Sequence, residues 1–100
     1  MVAGVYDVVV LGAGSAGSVV AARASEDPNR SVLLVEAGPD YATITDTPDD
    51  LVDSYHNSLV AHDWKHSYQP TAESPSTALP RGRVTGGSSA VNTTIALRGV

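Results

Sequence analysis

Glycine placement is the first sign of chemistry in this chain. Gly12-x-Gly14-x-x-Gly17 follows an apolar β-branched run and opens a stretch rich in Ala and Val. In a strand-to-helix turn of this pattern the first glycine permits a tight turn and the second lets backbone approach a pyrophosphate. The third lets the helix pack close to the strand. The freed amides at the helix start, aided by its dipole, hold phosphate charge. Glu36 stands 24 residues beyond Gly12 and ends a second apolar run. A carboxylate there can accept hydrogen bonds from both ribose hydroxyls and would repel a 2′-phosphate, which argues against NADP. NAD and FAD fit this unit equally. The bland alternative is a ligand-free turn with Glu36 as a solvated strand end; strand, turn, helix, strand and acid in one register favour the dinucleotide.

A second glycine run spans Gly82-Arg83-Val84-Thr85-Gly86-Gly87-Ser88-Ser89-Ala90-Val91-Asn92. Paired glycines followed by two serines make a nest of backbone amides and hydroxyls at a helix start, again suited to an anion. Two nests in one short chain suit a single extended ligand with a diphosphate at its centre.

Other reactive residue types give less. His62 and His66 are four apart, a spacing that on a helix could share a metal, but no third ligand stands near and no metal site is expected. Trp64 reads as packing. Ser88 and Ser89 have no partnered base, so they read as contacts or helix caps and not as nucleophiles. Asp49, Asp50 and Asp53 read as an acidic helix start. No cysteine is present, which excludes disulfides, thiolate metal sites and a cysteine nucleophile.

The elements that must position these residues follow from periodicity. Tyr6 to Leu11 is a β-branched apolar run of the kind covered on both faces in a parallel sheet, and Ser31 to Glu36 reads as a second buried strand. Between them Ser18 to Ser25 has helical spacing, and Asp27-Pro28-Asn29-Arg30 is a stop and turn. Residues 6–37 therefore read as a βαβ unit with parallel strands. Residues 40–46 read as a loop. Thr47-Pro48-Asp49-Asp50 predicts a helix start, with Leu51, Val52, Tyr55, Leu59 and Val60 forming one apolar face. Gln69 to Pro80 reads as an extended connection, and a short helix is expected from about Ser88.

Composition bounds the function. The 100 residues carry 6 Lys and Arg against 11 Asp and Glu, a net charge of −5. An acidic chain without a basic run argues against a nucleic-acid or anionic-membrane partner. The uncharged stretch from Val8 to Ala22 is too short for a membrane span, which needs roughly 20 apolar residues. Asp7 stands where a signal peptide would carry basic residues, so a cytoplasmic location is expected.

Taken together these residues resemble the glucose–methanol–choline (GMC) oxidoreductases, flavoenzymes that oxidise alcohols with FAD. The resemblance rests on Tyr6-Asp7, Gly12 to Gly17, Glu36-Ala37-Gly38, Asp63-Trp64 with Pro70, and the signature-like segment 82–99. It implies that Gly12, Gly14 and Gly17 shape a cofactor-binding turn in which Ser15 and Ala16 meet the pyrophosphate, and that Glu36 with Ala37 meets the adenosine end. It further implies that Val84, Gly87 and Ser88 line the FAD site and that Asn92, Thr93, Thr94 and Ile95 pass beside the flavin. Thr85 stands where the family usually has an aliphatic residue, and Ala96 where an aromatic is common. Val91 occupies the position of the histidine that links FAD covalently in some members, so non-covalent FAD is implied.

The fold class is therefore α/β: a Rossmann-like βαβ FAD-binding unit, incomplete, with residues 1–100 as the N-terminal segment of a larger FAD-binding domain. The resemblance implies an alcohol oxidoreductase with a small-molecule alcohol substrate. Its catalytic histidine lies near the far C-terminus, so no catalytic residue is assigned here. By itself the chain is expected to be poorly folded and inactive. Two other readings stay open: an FAD- or NAD-dependent oxidoreductase sharing only the βαβ unit, and a non-catalytic nucleotide-binding remnant. The sequence indicates neither the particular alcohol nor an oligomeric state.

Overall fold

Asp7 sets the register of the first two strands. Its carboxylate accepts hydrogen bonds from the Ser31 amide (2.8 Å) and hydroxyl (2.7 Å), and the Val8 amide donates to the Ser31 carbonyl at 3.1 Å. The Ser31 amide and hydroxyl hold the Asp7 carboxyl below its ordinary range. The computed structural model, which describes residues 4–53, 55–95 and 98, then carries β1 (Val8–Leu11) parallel to β2 (Val32–Val35). Val8 lies opposite Val32 and Leu11 opposite Val35. Helix α1 (Ser15–Ala24) connects them, completing the expected βαβ unit.

Helix α1 starts three residues earlier than its apolar spacing indicates. Gly14 occupies the capping position, and the Ser18 amide and hydroxyl return to Gly14 O (2.9 Å) and Ala13 O (3.0 Å). The glycine turn is thus itself the first helical turn. Cover on both strand faces does not occur within these residues. Helix α1 packs on the side of Val8 and Val10, while Val9 and Leu11 are 52% and 80% exposed.

The region after β2 departs most from expectation. Helix α2 comprises only Asp49–Val52. Pro48, not Thr47, takes the capping position, because the Thr47 hydroxyl donates backwards to Thr43 O at 2.9 Å. At the other end the Asp53 side chain accepts the Tyr55 amide (2.9 Å), a local turn that competes with helix continuation. Tyr55 and Val60 are therefore exposed, and the expected apolar face is not formed. Within the expected extended connection, β3 (Ser67–Tyr68) pairs antiparallel with β4 (Thr77–Ala78). The Gln69 side-chain amide donates to the carbonyls of Ala72 and Ser74 across the intervening bend.

The expected helix from Ser88 is a single 3-10 turn, Gly87–Ser89. The departure noted at Ala96, and residues 97 and 99 of the second glycine segment, lie outside the described residues. Among the described residues the buried apolar side chains are Ala13, Ala21, Val84 and Val91. No helix among the described residues is long and apolar enough to cross a membrane.

Candidate functional site

The two glycine turns, far apart in sequence, are laid one on the other. Gly12 leaves β1 with φ +95°, a left-handed conformation that favours glycine, while its amide donates to Val35 O at 2.7 Å. A methyl group on Gly17 would collide with the Gly12 carbonyl, so the turn closes only around glycine there. The Gly86 amide donates to Ala13 O at 2.8 Å, and Gly14 and Gly86 form a parallel bridge. Gly87 is buried with φ +58°, and a β-carbon there would stand 2.9 Å from Gly14 Cα. The hydroxyls of Ser15 and Ser89 meet in a hydrogen bond across the junction.

A cavity of about 440 Å³ opens between these turns, walled by Gly12, Gly14, Ser15, Ala16 and Gly17 on one side. Gly82, Gly87 and Ser88 form the other. The first amides of α1 have no acceptor inside the helix, and no acid lies in that first turn, so this wall offers donors to an anion. Leu11 and Gly12 also border a second cavity of about 340 Å³, which holds Glu36, Ala37 and Trp64. Ser88 also borders a third, of about 250 Å³, which holds Asn92 and Thr93. The first cavity shares Leu11 and Gly12 with the second and Ser88 with the third, so the three adjoin as a track with Glu36 at one end and Asn92 at the other.

Glu36 is oriented by backbone. Its carboxylate accepts the Ala13 amide at 2.7 Å and the Gly38 amide at 2.9 Å. Burial pushes this carboxyl up, but the amides of Ala13, Gly38 and Ala37 together outweigh burial and hold it below its ordinary value. It is therefore ionised at neutral pH and ties the first glycine turn to the end of β2.

Three of the residues singled out from sequence stand elsewhere. The Val84 side chain is 2% exposed and faces a separate cavity of about 190 Å³ beside Tyr41, Leu51 and Ala90. Thr94, with φ +55°, and the exposed Ile95 line none of the three linked cavities. Asn92 instead organises this end, with its carboxamide bonded to the Thr94 amide and Ser89 O. The two histidines have separate partners: His62 bonds Tyr41 and Ser58, and His66 stacks on Trp64. Among the described residues no three His, Cys, Asp or Glu side chains converge as a metal site would require.

Sequence reasoning assigned no site role to Trp64, Leu11 or Gly82, which border the track. Trp64 reaches it because its amide donates to Arg81 O (3.0 Å) and Asp63 bridges Gly82, a long-range pairing with no local signal. The Arg83 guanidinium lies 5.9 Å from the Trp64 ring centroid, which steadies the indole at the cavity edge.

The family model for GMC oxidoreductase matches residues 6–100, which includes the second glycine turn as well as the βαβ unit. The chain belongs to the GMC oxidoreductase family. A GMC-type oxidoreductase of Rhodococcus erythropolis is 42% identical over 89 residues, covering 86% of this chain and 18% of that protein. The mitochondrial choline dehydrogenase of Mus musculus is 40% identical over 110 residues, covering 94% and 17%. Among solved GMC-like structures, pyridoxine 4-oxidase from Mesorbium loti superposes with TM-score 0.75 at 35% identity, covering 95% of this chain and 19% of that one. The chain thus spans about a fifth or less of the length of these relatives. The α/β class and parallel βαβ unit expected from sequence agree with that superposition.

Proposed function

We propose that this chain is the N-terminal FAD-binding portion of a GMC enzyme that oxidises the CH–OH group of an alcohol. The observation that carries the reading is the row of adjoining cavities from Glu36, past two stacked glycine turns, to Asn92. The residues fit FAD: a dinucleotide needs an acceptor for ribose hydroxyls, a donor-rich bend without side chains at its diphosphate, and further room beyond. Glu36 with Ala37 would hold the ribose, and Trp64 would flank the adenosine end. Gly12, Gly14, Ser15, Ala16, Gly17, Gly87 and Ser88 would cradle the diphosphate. Asn92 and Thr93 would border the flavin side, with Thr94 and Ile95 continuing past it; the role of Val84, which borders a separate cavity, is carried by resemblance alone. Bound FAD supplies the two-electron acceptor for alcohol oxidation. No residue of this chain is assigned the substrate proton, and the alcohol is proposed only as a class. A cytoplasmic location is proposed on the sequence alone.

FAD held here would be non-covalent. Val91 is 8% exposed, borders the third cavity, and has no atom able to form a histidyl-type bond. Acid precipitation of the complete polypeptide carrying this segment is expected to leave all flavin in the supernatant, measured by absorbance. Flavin retained in the pellet would contradict the Val91 argument, and NAD in its place would overturn the cofactor reading.

A further inference from the structure

Two of the most deeply buried side chains are polar: Ser58 is 1% exposed and His62 4%. Buried polar groups must find partners, and both do. His62 Nδ1 is bonded to the Ser58 hydroxyl, and Nε2 to the Tyr41 hydroxyl at 2.7 Å. The Tyr41 ring also meets the imidazole edge-on, with centroids 5.7 Å apart. A neutral imidazole offers one donor and one acceptor, and a hydroxyl on each side can complement either tautomer. Burial this complete keeps substrate from Ser58, so the pair is no nucleophilic dyad. Its influence runs through backbone instead.

His62 O accepts the Arg83 amide at 2.9 Å, and Asp63 accepts the Arg81 amide at 2.6 Å. Residues 62–64 are thereby a brace for residues 81–83. Just beyond that brace, Thr85 donates to Pro39 O, Gly86 donates to Ala13 O and Gly87 rests against Gly14. We propose that His62 is a positioning residue for the dinucleotide site: clamped by Tyr41 and Ser58, it fixes the brace that sets the second glycine turn at its distance from the first. The inference rests on the FAD reading of the track. Its rival is ordinary buried packing, whose loss would loosen the whole chain evenly.

The two readings separate by amide hydrogen exchange in the complete polypeptide. Tyr41→Phe removes only the hydroxyl at Nε2, and Ser58→Ala removes the one at Nδ1. In each variant the Arg83 and Gly86 amides should exchange at least tenfold faster. The Val8 and Ser25 amides, bonded to Ser31 O and Ala21 O, should change less than twofold. FAD affinity, followed by flavin fluorescence where circular dichroism shows variant and wild type equally folded, should weaken at least fivefold. Equal acceleration at all four amides, or none at Arg83 and Gly86, would overturn the proposal. So would selective acceleration with unchanged FAD affinity. If the wild type takes up no FAD while exchange is still selective, the cofactor reading falls and the positioning of the second turn by His62 stands.

Discussion

Gly17→Ala is expected to abolish FAD binding and to lower stability by about 2–3 kcal/mol, the upper range for forcing atoms into packed space. The added methyl would occupy the position of the Gly12 carbonyl, and backbone on both sides must move. Gly14→Ala makes the informative contrast. A β-carbon on Gly14 meets its nearest neighbour, Gly87 Cα, at an ordinary 3.9 Å, and no positive φ is required there. That variant should keep its thermal midpoint within a degree or two yet bind FAD at least tenfold more weakly, because Gly14 walls the cavity proposed for the diphosphate. Thermal unfolding and flavin titration of the pair test both halves. If Gly14→Ala bound FAD as the wild type does, the diphosphate would lie elsewhere.

Glu36→Gln should weaken FAD binding at least tenfold and flatten part of the acid response of stability. The carboxylate now accepts two backbone amides, and hydrogen bonds to a charged group contribute roughly 1.5–3 kcal/mol each. Glutamine keeps one acceptor oxygen, so one amide loses its partner and the ribose loses a charged one. The sign of the pH effect follows from the lowered carboxyl. Stabilisation by Glu36 is complete above its ordinary value of 4.5 and is lost as pH falls through the lower folded-state value. Other carboxyls in the chain, including those of Asp7 and Asp63, are lowered as well, so the difference between wild type and variant isolates Glu36. That difference in thermal midpoint should stay constant from about pH 8 to 5 and shrink below 4.5. A constant gap down to pH 3 would mean that the carboxylate contributes nothing beyond its shape.

The βαβ unit was legible because its signals are local. Val8 to Leu11 and Val32 to Val35 are short apolar runs of Val and Leu, and the glycines from Gly12 to Gly17 span the passage from strand into helix. Glu36 was legible for the same reason, at a fixed distance along one unit. Helix α2 was misread since its start signals were sound, while the side chains of Thr47 and Asp53 spent their hydrogen bonds on local turns. Trp64 packs against its chain neighbours as its sequence reading had it, stacked on His66, but its place at the cavity edge was not legible. Its position depends on the pairing of residues 62–64 with 81–83, which no periodicity in either segment announces. Val84 is a role carried by resemblance alone: its buried side chain borders a separate cavity beside Tyr41 and Leu51.

The bond between Ser15 and Ser89 closes a loop of 74 residues, whereas Asp7 and Ser31 close one of 24. Closure entropy grows with the logarithm of length, so the longer loop costs only about 1 kcal/mol more. The strand pair and its helix are therefore held by near contacts, whereas the track between the two glycine turns exists only where the distant turn is docked. A ligand that bridges both turns binds the docked state alone, so its apparent affinity is scaled by the fraction of chains that have closed the long loop. Residues that never touch the ligand, and act only on that closure, therefore tune affinity as directly as those lining the cleft.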